Sequence, residues 1–275
     1  MADRSEKPNS MLKGYLAAIS AMYEVLNVPN LTREAEIIRM QSALVKSGTC
    51  QTMSKSKVMP VVKFTELFES WVGNEELSIK QLRLKCITLL ALSLMLRPSD
   101  IAPKGVNYQS VDDTVVPILF TEDQVEFTEN GLICKFLGVK NDTSRSGFEV
   151  FLPMVNDEKI DPVRTLQCYI QRTAVERKGA KGAVFLTLSR PYKAICSATV
   201  GSVLSSAIEL AGLKGMGFGP KSFRPTGATA AVALGHDPDK VRKLGRWKTN
   251  TVFLEHYVHV RPEKAFTEDV LHFDG

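Results

Sequence analysis

The sequence predicts an α+β fold that is mainly helical and carries one small antiparallel sheet, preceded by a short helical N-terminal segment. Three observations predict it. Helical periodicity runs through most of the chain, whereas strand-like runs concentrate in one block between residues 124 and 153. Inside that block Asn130-Gly131 joins two strand-like runs, a strong hairpin signal, because the two central residues of a tight hairpin turn need positive φ. A polar, Ser- and Lys-bearing stretch at 48–60, closed by Pro60, separates two helical patterns from everything after it and reads as a linker.

In order along the chain, residues 11–26 place Leu12, Leu16, Ile19 and Tyr23 on one helical stripe. A second amphipathic helix over 32–47 begins at Thr32, with Glu34 and Glu36 in a first turn that favours negative charge. After Pro60 a helix is expected over 61–72. Another runs from Ser78 to Leu96, apolar nearly all round and so a central core helix, ending at Arg97-Pro98 because proline disfavours helical geometry in the residue before it. Strands follow at 124–129, 132–138 and 148–153, the last two separated by the polar loop Lys140 to Gly147. Asp161 caps a helix that starts at Pro162, a short strand runs over 184–188, and helices lie near 198–212, 222–234, 238–245 and 250–258.

With 275 residues, 44% of them apolar, the chain can bury one domain of ordinary size plus a smaller piece. A net charge of +5 permits nucleic-acid binding without the density of a basic tail. The five cysteines, Cys50, Cys86, Cys134, Cys168 and Cys196, are odd in number and contain no C-x-x-C pair. That argues against a disulfide framework or zinc site and for reduced thiols in an intracellular protein. No apolar run reaches the roughly 18 residues of a membrane span, and the polar N-terminus is no signal peptide, so a soluble, unsecreted protein is expected.

The chemistry concentrates near the C-terminus. Lys221-Ser222-Phe223-Arg224 puts two cations three residues apart at a helix start, after Gly215, Gly217, Gly219 and Pro220. Leu244-Gly245-Arg246-Trp247 follows, and Tyr257 lies ten residues beyond the tryptophan. Upstream, Arg97-Pro98-Ser99-Asp100 ends the core helix; taken alone it reads as an ion pair capping that helix. The Lys221 region by itself is equally a solvated basic helix start, and the linker lysines Lys55 and Lys57 a solvated charged segment. The stripe Phe253, Tyr257 and Val260 fits a helix packed on the core.

Together these segments resemble the C-terminal box of the tyrosine recombinases, the phage integrases and the Xer and Cre recombinases. There a His/Lys-x-x-Arg element, a His or Trp, and a nucleophilic Tyr occur in this order. The resemblance spans about residues 60–260 and implies the tyrosine-recombinase catalytic domain. It further implies double-stranded DNA as partner, a homo-tetramer on DNA, monomer or dimer when free, and a metal-free, cofactor-free transesterification. Tyr257 would attack phosphorus. Arg97, Arg224, Lys221 and Trp247 would hold the phosphate, arginine being suited because its fork bonds two oxygens at once. Arg246 is second choice to Trp247, and Asp100 would orient Arg97. Lys140 would protonate the leaving 5′-oxygen, with Arg145 the alternative in the same loop. Lys55, Lys57 and Arg145 would contact the DNA backbone. His256 and His259 flank Tyr257 without carboxylate or cysteine at metal spacing, and His236 belongs to a turn.

Arg-Pro-Thr-Gly-Ala-Thr at 224–229 and Leu-Gly-Arg-Trp-Lys-Thr-Asn at 244–250 look most like recombinases of eukaryotic mobile elements of the DIRS, Ngaro and Crypton type, which implies a nuclear location if the source is eukaryotic and a cytoplasmic one otherwise. By the same resemblance, residues 1–47 are a partial core-binding clamp, N-terminally shortened from the family's four or more helices. Residues 61–260 are then the catalytic domain, and 261–275 a tail that docks on a neighbouring subunit or folds back on its own domain. Two other functions fit the same residues: a non-catalytic DNA-binding or interaction protein that keeps the fold, and a type IB topoisomerase.

Overall fold

The computed structural model describes residues 9–46, 57–102, 122–136, 147–177 and 183–258. They fall into two units divided between Lys55 and Ser56, inside the expected linker. In the first, α1 (Asn9–Val25) leads to a 3-10 turn at Leu31–Arg33 and then α2 (Ala35–Lys46). Thr32 therefore does not begin the second helix. Asn30 Oδ1 accepts from the Thr32 amide at 3.1 Å and its hydroxyl at 2.7 Å, which tightens the chain into the 3-10 turn first. Leu16 and Tyr23 are half-buried, but Ile19 is exposed, off the expected apolar stripe.

In the second unit α3 (Val62–Glu69) precedes α4 (Ile79–Ser93). Ser78 caps α4, with Gln81 reciprocating in a capping box. Every residue from Leu82 to Ala91 is buried, as an all-round apolar pattern requires, and three later helices, Pro162–Arg172, Ser197–Leu210 and Phe223–Ala233, pack against it. The helix ends at Ser93, three residues before the expected Leu96. Met95 adopts φ 51°, and the Met95 and Leu96 amides turn back to the Leu92 and Ala91 carbonyls, so a Schellman turn closes the helix before proline can. A one-turn helix, α5 (Pro98–Ile101), follows.

The sheet is the expected meander in the order β1 (Val125–Thr128), β2 (Gly131–Phe136), β3 (Phe148–Pro153), all antiparallel. Its register pairs Phe127 with Leu132, Leu132 with Leu152 and Phe136 with Phe148. The turn lies one residue earlier than expected, at Glu129-Asn130 and without positive φ: Gly131 already lies in β2, paired with Thr128, where a Cβ would fall 2.4 Å from the Leu152 carbonyl oxygen. Asp161 caps α6 (Pro162–Arg172) by accepting from the Val163 and Arg164 amides, and α7 (Ala174–Arg177) follows.

The strand expected over 184–188 does not form; a single bridge joins Leu186 to Ala194. The Thr187 amide donates to the Lys193 carbonyl and the Ile195 amide to the Phe185 carbonyl, and side chains satisfy much of the rest of this backbone. Arg177 donates to the Ala183 and Val184 carbonyls, Arg83 donates to the Leu186 carbonyl, and Tyr169 Oη accepts from the Leu186 amide. The remaining helices are α8 (Ser197–Leu210), α9 (Phe223–Ala233), α10 (Pro238–Leu244) and α11 (Asn250–Tyr257). A large core surrounds α4. A second, smaller one gathers Met95, Ala228, Val241, Trp247 and Phe253 where α9, α10 and α11 meet.

Candidate active site

Two helix ends and one helix start build the site. Arg224, on the first turn of α9, is buried at 2% exposure. Nη1 donates to the Met95 carbonyl at 2.5 Å, just past the end of α4, and Nη2 donates to the Gly245 carbonyl at the end of α10. Each helix C-terminus concentrates negative partial charge on its last carbonyls, so both are good seats for a buried cation. Asp100 adds a full charge, its Oδ2 lying 3.8 Å from Arg224 Nη1. Gly227, one turn along α9, lets the helix come this close: a Cβ there would fall 2.3 Å from the Leu92 carbonyl oxygen.

Asp100 is the hub. The same Oδ2 accepts from the backbone N–H of Arg97 at 2.9 Å and from Arg246 Nη2 at 3.3 Å. Arg246 also lays its guanidinium carbon 4.4 Å from the centroid of Phe136. Burial, and secondarily Arg97, lowers the Arg224 pKa, with Asp100 opposing; burial likewise lowers Arg246 against the pull of Asp100. Arg224 and Arg246 thus share one carboxylate, with the Arg97 charge near enough to act on both, an excess of positive charge suited to an anion.

Trp247 stacks on this cluster. Its ring lies 4.1 Å from the Arg224 guanidinium, 4.9 Å from the Phe253 ring and 4.8 Å from the Tyr257 ring. Tyr257, the last residue of α11, is half-buried, its ring 5.7 Å from Arg224. Thr229 of α9 donates its hydroxyl to the Tyr257 carbonyl at 3.0 Å and so ties the end of α11 to the helix that carries Arg224. Trp247 Nε1 and Arg224 Nε are buried donors with no hydrogen-bond partner, an arrangement that a bound oxyanion would relieve.

Of the residues expected in the site, the structure brings together Arg97, Asp100, Arg224, Arg246, Trp247 and Tyr257. Lys221 stands apart from this buried cluster. It is exposed on the 3-10 turn Pro220–Ser222, because α9 starts at Phe223 rather than with Lys221 in its first turn. Lys57 is exposed, and its Nζ donates to the Met216 carbonyl at 3.0 Å, in the glycine-rich approach to Lys221. Lys55, Lys140, Arg145 and His259 lie outside the described residues, as does the tail 261–275. His236 sits in the turn between α9 and α10, as expected.

Sequence reasoning did not single out Thr229, Phe136, Met95 or Gly245. Thr229 and Gly245 fall inside the phrases that carried the resemblance. Phe136 and Met95 carry no signal of their own, since each looks like an ordinary core residue until its neighbours are known.

No family model matches the sequence, and no curated protein matches it. Solved structures do. The XerH site-specific recombinase bound to its difH substrate superposes with a TM-score of 0.52 at 14% identity, covering 97% of this chain and 70% of that one. The XerA recombinase gives 0.56 at 12% identity, covering 100% and 86%. The Tn1549 transposon integrase in complex with circular intermediate DNA gives 0.55 at 14% identity, covering 96% and 79%. The second unit therefore has the tyrosine-recombinase catalytic-domain fold.

Proposed function

We propose that this chain is a site-specific DNA recombinase or integrase that cleaves and rejoins DNA through a 3′-phosphotyrosyl intermediate. The observation that carries the reading is the tilted packing of Tyr257 on Trp247 and of Trp247 on Arg224, beside the carboxylate of Asp100 that Arg224 and Arg246 share. Arg97, Arg224 and Trp247 would hold the non-bridging oxygens of the scissile phosphate, where negative charge builds as phosphorus becomes five-coordinate. The Tyr257 oxygen attacks phosphorus, the bond from phosphorus to the 5′-oxygen breaks, and the phosphate stays on Tyr257 through its 3′-side. Lys140 gives a proton to the departing 5′-oxygen, and Lys221 at the solvent edge holds the phosphate or takes the tyrosine proton. Rejoining reverses these steps.

On this reading double-stranded DNA is the partner. Residues 1–47 form part of a clamp on the far side of the duplex, a tetramer assembles on DNA, and segment 261–275 passes between subunits. The phrases at 224–229 and 244–250 support a place among the recombinases of eukaryotic mobile elements, hence a nuclear protein. One observation favours the non-catalytic alternative: the terminal nitrogens of Arg224 are already held by backbone carbonyls.

A nicked suicide DNA built from the element termini beside the gene decides between them. The wild-type chain is expected to form a covalent protein–DNA band, and Tyr257→Phe to bind the same DNA without forming it. Adduct formation by Tyr257→Phe would mean that another residue attacks; no adduct from the wild type would leave the non-catalytic reading. A 5′-bridging phosphorothiolate, whose sulfur leaves without a proton, then separates the lysines. It should rescue Lys140→Ala and rescue Lys221→Ala poorly. The reverse pattern would exchange their roles.

A further inference from the structure

We infer that Arg246 is a positioning residue that builds the Trp247 stack by clamping the end of α10 to Asp100 and Phe136. The inference rests on the recombinase reading of the site for its functional consequence, but its geometry stands apart from that reading.

The end of α10 is a Schellman turn. The Arg246 amide returns to the Lys243 carbonyl at 2.9 Å and the Trp247 amide to the Arg242 carbonyl at 3.1 Å, which leaves Arg246 in the left-handed region at φ 60°. Glycine is the usual occupant of that position, with asparagine next, because a Cβ is strained there. The described helices of this chain follow the rule elsewhere. The same pair of returning bonds places Asn27 after α1, Gly212 after α8 and Gly235 after α9, all at positive φ. Met95 and Arg246 depart from it, and both border Arg224.

A strained position that holds a large side chain implies that the side chain supplies something glycine cannot. For Arg246 the contacts say what. Its guanidinium joins α5 through Asp100 and β2 through Phe136, while its backbone turns the next residue, Trp247, the opposite way. Trp247 then lies under Gly245 and between Arg224 and Tyr257. The side chain of Arg246 is only 6% exposed, with Nη2 on Asp100 and the guanidinium against the Phe136 ring, so it holds the end of α10 to α5 and β2.

The test exchanges Arg246 for glycine, which suits the turn but removes the clamp, in a Trp71→Phe background that leaves Trp247 as the sole tryptophan. Trp247 emission is expected to shift to the red and its acrylamide quenching to rise several-fold, with the thermal midpoint no lower than that of Arg246→Ala. Cleavage of the suicide substrate should fall by about a hundredfold, as when reacting groups are misplaced by about 1 Å, while DNA affinity stays within about twofold. Arg246→Lys should restore little, because an ammonium cannot both bond Asp100 and lie flat on Phe136. Unchanged emission and quenching in Arg246→Gly would overturn the inference. So would a loss of about 0.9 in the slope of log affinity against log salt, which would mark a phosphate contact. A wild-type chain without cleavage would sink the recombinase reading alone, since the emission measurement decides the clamp by itself.

Discussion

Gly245 offers a sharp test of how the site is held together. A Cβ at this position would lie 1.7 Å from Cζ3 and 2.3 Å from Cε3 of Trp247, so Gly245→Ala forces the indole to leave its place. The backbone raises no objection: Gly245 sits at φ −79° and ψ 0°, which alanine adopts freely. The cost is therefore that of the stack. A buried cation–π contact contributes about 2 kcal/mol, and each of the two ring pairs, with Phe253 and Tyr257, about 1 kcal/mol. Since the displaced ring finds some replacement contacts, Gly245→Ala should destabilise the chain by about 2–4 kcal/mol in urea unfolding. Adduct formation on suicide DNA should fall with it, because Tyr257 loses the ring it leans on. The decisive comparison is the same change in a Trp247→Leu chain. With the indole gone, the glycine no longer has a reason to be there, and alanine should be neutral or stabilise by about 0.4–1 kcal/mol through the unfolded state. Equal effects of Gly245→Ala in both backgrounds would refute the account.

Two further outcomes are expected. Lys85 is wholly buried on α4, its Nζ donating to Asn74 Oδ1 at 2.7 Å, and burial chiefly lowers its pKa to about 8. A lysine depressed in the folded state releases its proton before the unfolded chain does. Below pH 8 the folded state therefore carries the full cost, about 3 kcal/mol, and stability rises between pH 8 and 10.5 as that cost is removed. Lys85→Met should stabilise the chain by about 1–2 kcal/mol at pH 7, after the lost hydrogen bond is allowed for. That gain should shrink towards pH 10 in paired urea melts; a gain independent of pH would show that the ammonium is not penalised. For DNA, log affinity should fall linearly with log salt at about −0.9 per phosphate neutralised. A flat dependence would point to a protein-interaction module.

By itself the sequence determined the features that local chemistry controls. Polar residues at 129–131 marked the hairpin to within one residue, Ser78 and Asp161 set two helix starts, and the unbroken burial of Leu82 to Ala91 follows from an all-round apolar pattern. The order of Arg97, Arg224, Trp247 and Tyr257 was legible as well, because a chemistry that needs two arginines and a tyrosine leaves those residue types in the chain whatever their distance apart. Tertiary structure alone decided how they meet. Met95 and Arg246 take left-handed turns that local preference would give to glycine, and the core helix stops three residues early, because both turns aim backbone carbonyls at Arg224. The stretch 184–188 makes one bridge rather than a strand, and Arg83, 103 residues away, and Tyr169 take both backbone groups of Leu186. Lys57 is bound to the Met216 carbonyl 159 residues away, a partner no local pattern could announce. At Arg224 and at Leu186 a buried polar group had to be satisfied, and the group that satisfied it came from another part of the chain.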